Sequence, residues 1–152
     1  MEAEVVSGPT RREGQVVSIQ LSTGHRQPMR FVPSVVAMAG SGLEGDRHAG
    51  LGTSRQVLLI EEETLDALAL THGAVKENIT TRGIDLMRLA LGTRLQVGSS
   101  TVEIIGECEP CHCLDRVRPG LQQQIRGRRG MLARVATSGT IAVGDSVRLL
   151  AP

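Results

Sequence analysis

Cys108, Cys111 and Cys113 fall within six positions, and with His112 and Asp115 they spell C-x2-C-x-C-x-D. A thiolate is both a nucleophile and a soft metal ligand, and neighbouring cations lower its pKa. Arg116, Arg118, Arg126, Arg128 and Arg129 follow closely. Cys111 stands beside the turn-former Pro110, so the pattern predicts an exposed, activated thiol presented from the end of a strand. For Cys108 and Cys113 the lesser alternative is that they are small inert hydrophobes. C-x2-C is also half of a zinc site that His112 or His48 could help complete, but no second cysteine pair exists. An iron–sulfur cluster would lack its fourth thiolate.

Two other segments hold groups that could act on a ligand. In Gly45-Asp46-Arg47-His48 the guanidinium can fork onto a phosphate or carboxylate, and the imidazole can pass protons near neutral pH. The same four residues also suit a plain surface loop in which Asp46 pairs with Arg47. Glu77 to Gly83 (ENITTRG) offers the Asn78 amide, the Thr80 and Thr81 hydroxyls and Arg82 in what reads as one loop, a lining suited to a polar heterocycle bearing phosphate. Its bland alternative is a capped turn. Arg126, Arg128 and Arg129 read as a solvated loop tip rather than an anion clamp.

The elements that must position these residues are mostly strands. Val16 to Leu21 alternates apolar and polar, as a half-buried strand does. Phe31 to Met38 is β-branched but contains Pro33, which removes a ladder donor and predicts an edge or broken strand. Gly40 to Gly52, with five glycines, reads as a loop. Gln56 to Ile60 reads as a buried strand, followed by a helix over Glu61 to Leu70 that ends at His72 and Gly73. Lys76 to Gly92 reads as neither long helix nor strand. Arg94 to Val97 and Thr101 to Ile105 form a hairpin across Gly98-Ser99-Ser100, and the cysteine segment leaves its second strand. A short helix within Pro119 to Gly130 and three short β runs after Met131 complete the chain. That meander implies a barrel or closed sheet, in a fold mainly β with a few short helices.

Composition narrows the function. The 152 residues suit one domain over 1–152, with no repeat or linker. With 17 basic and 16 acidic residues, the surface has no broad footprint for nucleic acid or an anionic membrane, so an anionic ligand must be held locally. One aromatic residue, Phe31, leaves no stacking platform. The N-terminal MEAEVVSGPTRREG has no apolar signal core, no stretch approaches the roughly 20 apolar residues of a spanning helix, and the crowded, odd cysteine set is a poor disulfide framework. A cytoplasmic protein with a small-molecule substrate is expected, its oligomeric state left open.

Taken in order, GLEGDRH at Gly42 to His48, ENITTRG at Glu77 to Gly83, EPC at Glu109 to Cys111, RGMLARV at Arg129 to Val135 and GD at Gly144-Asp145 resemble a MOSC domain, the family named for the C-terminal domain of molybdenum cofactor sulfurase. The resemblance runs from about Val16 to Leu149. It implies a β-barrel of mixed strands whose pocket binds molybdenum cofactor or handles its sulfur. The family's characteristic cysteine maps onto Cys111, a molybdenum ligand in relatives that reduce N-hydroxylated compounds and a participant in sulfur delivery or cofactor binding in the sulfurase branch. On this resemblance Cys111 is the metal ligand, His48 or Asp46 a proton relay, and Arg47, Asn78, Thr80, Thr81 and Arg82 the cofactor grip. No flavin, haem or nicotinamide site is evident and a G-x-G-x-x-G fingerprint is read as absent, so electrons are expected from a separate protein. The alternative is a non-enzymatic carrier of sulfur, as a Cys111 persulfide, or of the cofactor, with a zinc-stabilised interaction module behind it. Cys108 and Cys113 depart from the single cysteine of the usual pattern, and a disulfide or metal could engage Cys111. The resemblance covers no counterpart of the extra N-terminal barrel of longer relatives, so the cleft is expected to be more open or covered by a partner chain.

Overall fold

A computed structural model describes residues 8–151. The first half of the N-terminal stretch read above lies outside the described residues. Seven strands close into a barrel in the order β11 (Ser146–Leu149), β7 (Arg94–Val97), β8 (Ser100–Glu107), β9 (Met131–Thr137), β5 (Val57–Glu61), β6 (Ile79–Arg82) and β1 (Glu13–Leu21), with β1 returning to β11. All neighbours are antiparallel except β5 and β6, whose parallel pairing needs a crossover. That crossover contains α1 (Glu62–Ala67). The mainly β mixed barrel expected from the sequence is therefore present. β2 (Arg30–Phe31) adds to the end of β1, and Pro33 divides it from β3 (Ser34–Met38) as its missing donor requires. β3 forms a small sheet with β4 (Gly42–Leu43) and β10 (Gly139–Ala142).

Three readings change. The ENITTRG segment is not a loop throughout, because β-branched Ile79, Thr80 and Thr81 enter the barrel as β6. The helix after β5 stops at Ala67, and Ala69 turns the chain with φ of 54° before His72 and Gly73 are reached. Gly40, Gly42 and Gly45 also stand at the G-x-G-x-x-G spacing of a dinucleotide fingerprint. They sit in and just after the β3–β4 hairpin, with no helix following, so the strand–turn–helix context that gives the fingerprint its meaning is missing.

Two apolar cores result from the burial of β5 on both faces. Val57 and Leu59 join Val16, Ile19, Leu95, Val102, Ile104 and Val135 inside the barrel. Ile60 points the other way and joins Leu65, Leu68 and Val75 with Leu114, Leu121 and Ile125, the last two contributed by α2 (Leu121–Gln124) and its end. Leu114 belongs to the short 3-10 turn His112–Arg116, so this outer core fixes the cysteine segment against the barrel wall.

Glu62, buried at the start of α1, accepts from Arg82 Nε at 2.7 Å and lies 2.7 Å from His72 Nε2. Burial pushes the Glu62 carboxyl up, but Arg82 and His72 together outweigh it and hold its pKa below the usual carboxylate range. A carboxyl lowered on folding adds stability above its unfolded pKa and loses it as pH falls through the folded value. Glu62→Gln is expected to destabilise by about 1–3 kcal/mol at neutral pH, with the deficit shrinking below about pH 4, as urea melts at both pH values will show.

Candidate functional site

A cavity of about 750 Å³ lies over the outer face of β5 and β9, where Leu58 and Leu132 are cross-strand neighbours. Loops after β1, before β5 and before β6, and the cysteine turn, wall it in. Its lining holds Arg26, Arg47, Arg55, Lys76, Arg116 and Arg129, with His25 and His48, and no carboxylate among the described residues. In a chain with 17 basic and 16 acidic residues this is strong segregation of charge. The volume suits a small heterocyclic ligand, and the lining suits an anionic one. Leu51 and Val117 add exposed apolar surface to the wall.

A buried hydrogen-bond network holds one side of the cavity. Asn78 Oδ1 accepts from the Leu58 amide at 3.0 Å, and its Nδ2 donates to the Gln20 carbonyl and to Asp46 Oδ1, each at 3.1 Å. Asp46 Oδ1 also accepts from the Ser22 amide at 2.7 Å. Asp46 Oδ2 accepts from the His48 amide at 3.1 Å and lies 3.0 Å from His48 Nδ1. The carboxylate thus orients the imidazole with its proton on Nδ1 and leaves Nε2 to exchange a proton with a ligand. Asp46 itself is buried, and Asn78, although it borders the cavity, has its amide oxygen and both amide hydrogens engaged. These two residues shape the site, whereas Arg47 and His48 face it.

Arg129 is the least expected member. It is 6% exposed, its Nη1 lies 3.7 Å from the Cys108 thiol, and its Nε has no hydrogen-bond partner among the described residues. Burial pulls its pKa down, opposed by Cys108 and Glu77. An unpaired buried cation is costly unless something completes it. Gly130 makes the placement possible, since a Cβ there would run into the Leu59 carbonyl oxygen.

In the cysteine turn, Cys111 and Cys113 are joined in a disulfide, with Cα atoms 5.4 Å apart, and Cys108 is a free, buried thiol. Cys113 is exposed and borders the cavity. Cys111 is half-buried against the outer core and is absent from the lining. Among the described residues no group of three His, Cys, Asp or Glu side chains is placed to hold a metal ion.

The sequence-predicted grip residues divide. Thr80 and Thr81 are fully buried in β6, donating to Glu77 Oε2 at 3.2 Å and to the Ile60 carbonyl at 3.4 Å, and Arg82 turns to Glu62. None of the three reaches the cavity. Arg55, Lys76, Arg116 and Arg129 do, although the sequence offered no spacing that joins them, since four separate segments supply them. The Gly after Arg129 was the one available signal, because a glycine at that point marks close backbone approach.

The model of the MOSC domain family matches residues 45–148. Among solved structures, the chain superposes on the YuaD protein of Bacillus subtilis with a TM-score of 0.77 at 19% identity, covering 90% of this chain and 95% of that one. YiiM of Geobacillus stearothermophilus gives 0.75 at 22%, covering 91% and 75%, and YiiM of Escherichia coli gives 0.72 at 18%, covering 91% and 70%. At these identities the likeness establishes the fold. A search of curated proteins finds no match. No helix among the described residues is long and apolar enough to cross a membrane.

The cysteine arrangement makes a direct prediction. Under native, non-reducing conditions a thiol reagent should label almost nothing, because Cys108 is buried and the other two are joined. After mild reduction Cys113 should label first and Cys111 more slowly, while Cys108 waits for denaturant. Ready labelling of Cys111 before reduction would refute the pairing.

Proposed function

Because the chain belongs to the MOSC domain family, whose members serve molybdenum cofactor, we propose that the cationic cavity binds that cofactor and that the protein uses it to reduce small N-hydroxylated compounds. The observation that carries this reading is Arg129, a buried guanidinium at the cavity wall with an unpartnered Nε. A phosphate is the kind of group that repays such burial, because it accepts charge-assisted, forked hydrogen bonds. Arg47, Arg55, Arg116 and Lys76 offer further donors to the same ligand. The metal's soft ligand would be the Cys111 thiolate, the family's cysteine, which would need both reduction of its bond to Cys113 and a shift of the turn from the outer core to the cavity that it does not border here.

When bound, the molybdenum would supply the capacity to accept an oxygen atom from the N–O group. The substrate change is RNHOH to RNH2 and water, consuming two electrons and two protons. His48, held through Nδ1 by Asp46, would take up a proton at Nε2 and pass it to the departing oxygen. Loop walls bearing Leu51 and Val117 would cover the apolar part of the substrate. The electrons would come from a separate redox protein.

A second reading, that of a sulfur carrier, draws support from one observation: Cys113 borders the cavity and is bonded to a second cysteine, Cys111. Such a pair can take up and give up sulfur without any metal.

The test of the first reading is the molybdenum and pterin content of reduced wild type, Arg129→Met and Cys111→Ser, each purified from a host that makes the cofactor. Wild type should hold both. Arg129→Met should weaken pterin retention by about 2 kcal/mol, roughly thirtyfold, and Cys111→Ser should lose the metal. Wild type free of both would sink the reading.

A further inference from the structure

We propose that Cys113 carries a sulfane sulfur and that Cys111 is the thiol that discharges it, the disulfide in this structure being the state left behind. The inference rests on the sulfur-carrier reading and gives the carrier role to Cys113 where the family's cysteine, Cys111, would suggest the reverse. Three observations support it. Cys113 is exposed and borders the cavity, so a donor can reach it and its cargo would sit inside. Cys111 is half-buried against the outer core and is not part of the cavity lining. Their sulfurs are bonded, so the attack that joins them is geometrically available within one short turn held by Leu114.

The chemistry balances in two displacements. In loading, the Cys113 thiolate attacks the outer sulfur of an external persulfide, the donor's S–S bond breaks, the donor thiolate leaves, and Cys113 becomes a persulfide. In discharge, the Cys111 thiolate attacks Cys113 Sγ and the bond from Cys113 to its sulfane sulfur breaks. The sulfane sulfur leaves as hydrosulfide, taking up the proton it needs, while the Cys111–Cys113 bond forms. Two cysteine sulfurs are oxidised and the sulfane sulfur is reduced to sulfide, so no further oxidant is required. An external dithiol reductant then restores the pair. Displacement at sulfur is in line, so the leaving group departs on the side opposite the attacker. Cys113 borders the cavity, where Arg47, Arg55, Arg116 and Arg129 can hold the released anion.

Cys108 cannot replace either thiol. It is buried beside Arg129 and unbonded, and it borders no part of the cavity.

The experiment charges fully reduced protein with glutathione persulfide, removes the excess, and follows released sulfide and the sulfur carried on each cysteine peptide by mass. Wild type should release sulfide stoichiometrically with the chain as the Cys111–Cys113 bond forms. Cys111→Ser and, as a second variant, Cys111→Ala should keep the sulfur on Cys113 and lose release until an external thiol is added. Cys113→Ser should lose release and the stable cargo alike. Sulfur found on Cys111 in the Cys111-containing wild type, or release undiminished in Cys111→Ser, overturns the assignment while leaving the carrier reading intact. Failure of wild type to take up any sulfur removes both.

Discussion

Everything at the cavity depends on how the barrel is held where β1, β5 and β6 meet. Asn78 stands there with its amide group bonded to Leu58, Gln20 and Asp46, and its backbone bonded to Leu58 and Gln20 as well. A parallel pair such as β5 and β6 begins without a hairpin to set its register, so a side chain that binds both neighbouring strands and a loop is an economical way to fix it. Asp46 then extends the same network to Ser22 and His48, which ties the loop after β1 and the loop after β4 to one point. The polar groups are almost fully buried and fully used. Removing any one would strand its partners without water to replace it.

That rigid corner contrasts with the charge beside it. The cavity gathers cations from the loops after β1, after β4 and before β6, from the cysteine turn and from the segment ahead of β9, and among the described residues no acid faces them. Elsewhere several arginines are matched by carboxylates: Arg11 with Asp85 at 2.8 Å, Arg134 with Glu103 at 3.1 Å, Arg82 with Glu62. Those carboxylates neutralise strand and loop arginines away from the cavity, and none lines the cavity itself among the described residues. Repulsion among the unmatched cations costs stability in the empty protein, a cost that an anionic ligand would offset.

Much of the barrel was legible because strands with one face to a core advertise themselves. Alternation along β1, β8 and β9, the break at Pro33 and the Gly98-Ser99 turn all have local causes. β6 was hidden because Thr80 and Thr81 are polar by composition yet fully buried, their hydroxyls bonded to Glu77 and Ile60. Misreading that strand as a loop is also what placed Thr80, Thr81 and Arg82 at the site. Arg47 and His48 were found because GDRH is compact and reaches the cavity as one piece. Arg129 was discounted as part of a basic loop tip, since its burial depends on Gly130 lying against Leu59, a contact between residues far apart in the chain. No spacing rule reports that.

The same limit governs the cysteines, and it bears on what the site can do. Sequence spacing shows that Cys111 and Cys113 are neighbours but not which one looks into the cavity. The outward face of β5 decides it: Ile60 recruits Leu114 and Leu121 into a second core, the short turn between them is pinned by its one buried leucine, and Cys111 is drawn toward that core while Cys113 is left facing out. A reactive sulfur inside the barrel would have been sealed from any donor. Placed on the outer wall, Cys113 remains reachable while Cys111 is sheltered against the second core. The double burial of β5 therefore closes the barrel on one side and, on the other, gives two chemically identical residues different surroundings.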